Sequence, residues 1–290
     1  MKISISTEPL SSRFSMEKVL RMAADAGFEA VDLGLFSRAD AEWLAADSYL
    51  RRAEEIKREA EAARIVVGQI HAPFPSYFEA DRERTAHACS CILRSLEVAT
   101  ELQCPHVIVH PATVACNSPL FSDAAAMRAI NLAVYEAILP RAEALGVGIA
   151  LENLFGYDDV RGEIVPCYAS EVSALKEIAR TLGGRTSVCL DVGHSAVTNR
   201  DPAAQTAQLG PLLSTLHIQT NDAVSDLHTL PFLYPSTDWE ALREALRACN
   251  YAGTFNLEVF GFFRHIPDEM IPAALSFAAQ TARAARDGTP

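Results

Sequence analysis

VCLDVGH, residues 188–194, runs an apolar segment straight into an aspartate and, three residues later, a histidine. The pattern repeats on both sides. IVVGQIHAP (65–73) closes on His71, HVIVHP (106–111) on His110, GIALEN (148–153) on Glu152, LHIQTN (216–221) on His217 and FNLEV (255–259) on Glu258. Packing alone does not put a water-seeking residue at the end of strand after strand. A parallel β/α barrel does, because it gathers its chemistry onto the rim formed by the strand C-termini.

The intervening sequence fits that reading. KISIST (2–7) precedes an amphipathic stretch, and AVDLGL (30–35) precedes the charged SYLRRAEEIKREAEAA. IVVGQI (65–70) leads to a helix over 80–102, HVIVHP to DAAAMRAINLAVYEAILPRAEAL, and GIALEN to SEVSALKEIARTL. TSVCLDV (186–192) leads to a short helix near 202–209, LLSTLHIQT (212–220) to DWEALREALRAC, and GTFNLEVF (253–260) to a last helix over 268–286. Strands rich in Val, Ile and Leu are those covered on both faces. Gly27, Gly146, Gly183 with Gly184, and Gly253 are expected to cap helices before the next strand. Eight βα units without a break in composition predict one (β/α)8 TIM barrel, a single α/β domain over residues 1–290.

The connections after strands are the long ones. Segments 71–80, 111–122, 153–169 and 218–237 carry Phe, Tyr, Asn, Asp and Pro, which places candidate lids on the same rim. Phe36, Phe74, Tyr77, Phe155, Tyr157, Phe232 and Tyr234 are the aromatic candidates to cover a substrate there. The apolar loop YDDVRGEIVPCY (157–168) offers a surface for homo-oligomer formation.

Composition removes several classes. A net charge of −12, from 37 acidic against 25 basic residues, disfavours nucleic acid as a partner, which calls for a basic face. No apolar run reaches membrane-spanning length, and MKISIST enters a strand without a signal-like segment, so a cytoplasmic protein is expected. The seven cysteines make no CxxC pair or zinc-ribbon spacing, which predicts reduced thiols, mostly buried. No glycine-rich phosphate loop is present. Arg264 and His265, beyond the last strand, read as a solvated loop.

Glu152, Asp191, His217 and Glu258 end the fifth to eighth strands and so occupy one arc of a closed barrel. Three carboxylates and an imidazole suit one divalent ion, Mn²⁺, Mg²⁺ or Co²⁺, with Zn²⁺ also accommodated. Packed together without a cation, the carboxylates would repel one another.

LEN (151–153), CLDVGH (189–194), LHIQTND (216–222) with DLH (226–228), and LEV (257–259) together resemble the xylose isomerase-like TIM-barrel superfamily, from the first strand to Glu258. That group holds sugar isomerases and epimerases and also the endonuclease IV type of AP endonuclease. The resemblance implies a metal-dependent isomerase or epimerase of carbohydrate metabolism, acting on a sugar or sugar phosphate. Glu152, Asp191, His217 and Glu258 would be the metal ligands, and Glu152 and Glu258 the acid/base pair. The pair would take a proton from beside a carbonyl, through a metal-stabilised enediolate. His194 would bind substrate oxygen or support the metal site. The trinuclear zinc site of the repair enzymes also maps here, onto His71, His110, Glu152, Asp191, His194, His217, Asp226, His228 and Glu258. His71, His110, Asp226 and His228 therefore either hold an extra metal or act in support, steadying a ligand or a sugar hydroxyl. Two departures from the repair enzymes stand out. Gly193 replaces their usual cysteine, and DLHTLPFLYPSTDW (226–239) replaces their glycine-rich turn. A zinc-dependent AP endonuclease is thus the alternative function, and a lyase or dehydratase on a sugar-derived substrate a further one.

Overall fold

Each of the eight apolar runs forms a strand of one parallel sheet. In the computed structural model, which describes residues 1–288, these are β1 (Ile3–Ser6), β2 (Ala30–Gly34), β3 (Val66–His71), β4 (His106–Val109), β5 (Gly148–Glu152), β8 (Thr186–Asp191), β9 (Leu213–His217) and β10 (Phe255–Leu257). The intervening β6 (Gly156–Asp158) and β7 (Glu163–Val165) make a small antiparallel hairpin inside the loop after β5. Strand order is β10-β1-β2-β3-β4-β5-β8-β9. The ring closes between β9 and β10 through a single parallel bridge, Ile218 to Leu257, carried by Ile218 N donating to Asn256 O at 2.7 Å and Glu258 N to Ile218 O at 3.0 Å. The result is the expected TIM barrel.

Strand residues of alternate parity serve two different environments. Ile3, Ile5, Val31, Leu33, Val107, Val109, Ile149, Leu151, Val188 and Leu190 join the main core with the helices. The other parity includes Ser4, Asp32, Gln69, Thr215 and Asn256, all buried. Its apolar members Ile108, Ala150 and Cys189 form a separate small cluster. Gln69 on β3 reaches across to Leu216 O on β9 at 3.3 Å, which places this set inside the barrel. One side of the interior is therefore polar, and the functional residues stand above it.

Helix starts follow the sequence. Asp81, Asp123 and Asp238 cap Arg82–Glu101, Ala124–Leu145 and Trp239–Ala248 through side-chain acceptors. Gly146 ends its helix at φ +73, as expected, and Gly183 also follows a helix. Gly253 does not. The helix before it stops at Ala248, the left-handed residue is Asn250 at φ +54, and Gly253 instead lets the chain pass close to Ser214 O, 2.4 Å from where a Cβ would sit. A short helix, Val192–Val197, starts directly at the end of β8. All seven cysteines are free, three buried and four half-buried. No helix among the described residues is long and apolar enough to cross a membrane.

Candidate metal centre

Glu152, Asp191, His217 and Glu258 meet at the top of the barrel, with one ligand atom from each lying within 4.8 Å of the others. Glu152, Asp191 and His217 are the last residues of β5, β8 and β9, and Glu258 follows β10 by one residue. All four are buried. His217 Nδ1 stands 2.9 Å from Glu152 Oε1 and 3.4 Å from Glu258 Oε2.

Glu152 and Asp191 are each anchored by one oxygen. Asp191 Oδ1 accepts from His194 N at 2.6 Å, capping the short helix, and from Gln219 Nε2 at 3.4 Å. Asp191 Oδ2 and Glu152 Oε2 are buried without a hydrogen-bond partner. An unsatisfied buried carboxylate oxygen is costly. Two of them in one cluster of ligand groups, beside an imidazole nitrogen, are a donor set that suits a hard divalent cation, so the residues fit the ion the sequence implied.

Imidazole orientation gives a second test of fit. His71, His194 and His228 place Nδ1 at 2.8, 2.8 and 2.9 Å from the carbonyl oxygens of Ala72, Asn153 and Glu258. A carbonyl only accepts, so each Nδ1 carries a proton, which leaves Nε2 as the nitrogen a cation can take. Those Nε2 atoms face carboxylates: His71 meets Glu152 Oε2 at 3.3 Å, while His194 and His228 meet Asp226 Oδ2 at 3.6 and 2.8 Å. His110 Nε2 also lies 3.3 Å from Glu152 Oε2. Two further ligand groups result, His71–Glu152–His217 and His194–Asp226–His228. Every site residue expected from the sequence is thus in one cluster.

Charge crowding shifts the protonation of the metal-free site. Burial, reinforced by Glu152 and Asp191, pushes Glu258 up to about 7. Burial acts the same way on Glu152, but His217 and His110 outweigh it and hold that carboxyl well below its usual range. Burial likewise presses His110 down to about 4. A cation must displace the protons of both Glu258 and His217, whose imidazole is held well above its usual value despite burial, so Mn²⁺ uptake should strengthen steadily as pH rises through about 7. Calorimetric titration across about pH 6 to 8 measures this, and a flat profile would contradict it.

The cluster opens into a cavity of about 260 Å³ walled by Phe36, Phe74, Phe155 and Phe260. Phe74 stacks on His110 with ring centroids 4.3 Å apart, and Phe260 on His228 at 4.7 Å. Pockets for drug-sized ligands run from about 300 Å³ upward, so this one suits a molecule the size of a simple sugar. Of the aromatic candidates, Phe36, Phe74 and Phe155 line it. Tyr77 lies in a separate apolar groove, Tyr157 and Phe232 are largely exposed, and Tyr234 is half-buried outside the wall. A larger cavity, about 1080 Å³, is at the opposite mouth of the barrel and is lined by none of the clustered residues.

Several supporting residues escaped the sequence reading. Asn153 accepts from Asp191 N at 2.6 Å and donates to Asp191 O at 2.9 Å, locking the end of β8 to β5. Gln219 donates to Asp226 Oδ1 at 2.7 Å, linking two ligand groups. Its side chain occupies the space a Cβ at Gly193 would need, 2.1 Å away, which accounts for glycine at that position. Asp32, in the middle of β2, contacts His217. A polar residue inside AVDLGL, IQTN or LEN was the available signal.

Gly261 shows how tightly the segment bearing Asp226 and His228 is seated. A Cβ there would lie 1.9 Å from Leu227 O and 3.3 Å from His228 O, backbone atoms that cannot swing aside. Gly261→Ala should displace Asp226 and His228 and cut turnover by roughly 10²-fold, the scale of an ångström misplacement. Unchanged steady-state rates would show that this segment does not position the chemistry.

The family model for the xylose isomerase-like TIM barrel matches residues 20–280, and the chain belongs to that family. Among solved structures it is similar to a D-tagatose 3-epimerase-like protein, with 22% identity, 97% of this chain and 99% of that one covered, and a TM-score of 0.71. It is also similar to a D-psicose 3-epimerase crystallised in the presence of D-fructose, at 16% identity over 100% of both chains with a TM-score of 0.76. A third, the IolI protein with a bound zinc atom, gives 14% identity, 99% and 98% coverage and a TM-score of 0.76. These likenesses concern the fold. No curated protein sequence matches.

Proposed function

We propose that the chain is a divalent-metal-dependent sugar isomerase or epimerase. The observation that carries this is the convergence of Glu152, Asp191, His217 and Glu258 within 4.8 Å at the floor of a small, aromatic-walled cavity. Solved relatives of the same fold include proteins described as sugar 3-epimerases, which agrees with it. A bound divalent ion would polarise a substrate carbonyl and offset the negative charge that develops as a neighbouring C–H is deprotonated.

The chain supplies the proton transfers. Glu152 and Glu258 both reach His217 Nδ1 and both line the cavity, so a sugar carbon bound there can lose a proton to one carboxylate and regain one from the other. Return to the same carbon from the opposite face inverts the centre, whereas return to the adjacent carbon moves the carbonyl. His194 and His228 bring Nε2, paired with Asp226, to the cavity wall, where it can donate to a substrate oxygen. The phenylalanine walls cover apolar sugar faces and exclude water that would compete for the proton. The test is exchange of a substrate C–H with deuterated solvent, followed by NMR for a panel of free and phosphorylated ketoses with Mn²⁺-loaded protein. No exchange with any of them would overturn the proposal.

One observation favours a second reading. The His71–Glu152–His217 and His194–Asp226–His228 groups would let the site hold more than one ion, as metal-assisted phosphodiester cleavage at an abasic site requires. The net charge of −12 and the narrow cavity weigh against a duplex substrate. Metal content per chain separates the two. About one ion supports the isomerase reading, and about three zincs with cleavage of an abasic duplex would replace it.

A further inference from the structure

We propose that Asp32 is a positioning residue of the metal centre, fixing His217 with Nε2 protonated and Nδ1 left for a cation beside Glu152 and Glu258. The inference rests on the reading of His217 as a ligand. Asp32 is fully buried in the middle of β2, next to a register shift between Val31 and Asp32. Its Oδ2 accepts from Asn256 Nδ2 at 3.0 Å and from Gln69 Nε2 at 3.2 Å, and meets His217 Nε2 at 3.1 Å.

The direction of the last contact follows from the others. Thr254 donates to Gln69 Oε1 at 2.8 Å, so the Gln69 amide is oriented with its NH₂ group toward Asp32. A carboxylate oxygen that already accepts from two amides has no proton to offer, and the imidazole must donate. With Nε2 keeping its proton for Asp32, Nδ1 is the nitrogen left for a cation; it stands 2.9 Å from Glu152 and 3.4 Å from Glu258, where it holds a proton that a cation would displace. Flipping the ring would put carbon at both contacts. Histidine ligands elsewhere are commonly held in this way by a carboxylate behind the ring.

The energetics also need an explanation that packing does not give. Among the described residues His217 is the one ion-pair partner of Asp32, and Asp32 Oδ1 is buried with no partner at all. A buried carboxylate so weakly compensated is poor for stability. It makes sense as negative charge placed behind the ring that faces the cation. His217 also differs here from His71, His194 and His228, which use Nδ1 for a carbonyl and present Nε2.

The test is Asp32→Asn, which keeps the shape and removes the charge. Its Mn²⁺ dissociation constant, measured by chelator competition, should rise by about 10- to 100-fold. A merely structural role would lower the melting temperature of the metal-free protein and leave that constant within about twofold, which would overturn the proposal. A measurement on the unmodified chain guards against a variant that fails to fold. With ¹⁵N-labelled histidine and bound ¹¹³Cd²⁺, one imidazole should couple to the metal through Nδ1 while its Nε2 retains a proton. Coupling only through Nε2 nitrogens would overturn the proposal even if sugar proton exchange is observed. Wild-type protein that takes up neither ion would overturn the metal reading and this one with it.

Discussion

Glu258→Gln should reduce metal-dependent exchange of the substrate C–H by about 10³-fold, within the range general acid–base catalysis supplies. Glutamine fills the same buried space and keeps one oxygen for a cation, but it cannot take up or deliver a proton. The site already treats Glu258 as an exchangeable acid, since burial and the nearby Glu152 and Asp191 raise it to about 7. Glu152→Gln should show a comparable loss. Metal content measured on the same samples tells lost chemistry from lost metal. If Glu258→Gln retains its ion and more than about a tenth of the exchange rate, Glu258 is not half of the acid/base pair.

Removing the ion should abolish exchange altogether and also soften the fold. Three buried carboxylates, Glu152, Asp191 and Glu258, would then face one another with only imidazoles to offset their charge. An ion at about 100 times its dissociation constant stabilises the native state by about 2.7 kcal/mol. For a domain of this size that corresponds to a fall in melting temperature of roughly 4–8 °C on chelation. Both activity and melting temperature should return on adding Mn²⁺. An identical melting curve with and without chelator would show that the cluster is not a metal site.

The sequence exposed the features that repeat. Eight runs of Val, Ile and Leu bounded by turns could only be strands of a covered parallel sheet, and the residues at their ends fell on one rim by geometry. Features that depend on one local contact stayed hidden. The β6–β7 hairpin uses three residues a side, too few to show alternation. The helix Val192–Val197 begins without a linker, and the Gln219 side chain that fills the space beside Gly193 is a tertiary contact. Asp32 looked like one polar interruption in AVDLGL because its partners come from β3, β9 and β10, far apart in the chain. Gly253 follows the cap pattern in the sequence, whereas the close approach of Ser214 O that it serves is a tertiary contact.

The single bridge between Ile218 and Leu257 gives the barrel a seam. On one side the next residue back along the chain is His217, and on the other the next residue forward is Glu258, so two of the proposed ligands flank the weakest join in the ring. A cation held by both would act as a clasp across that join. Acquiring the cofactor would then brace the cylinder at the join that two backbone hydrogen bonds close, steadying its staves beside the proposed ligands.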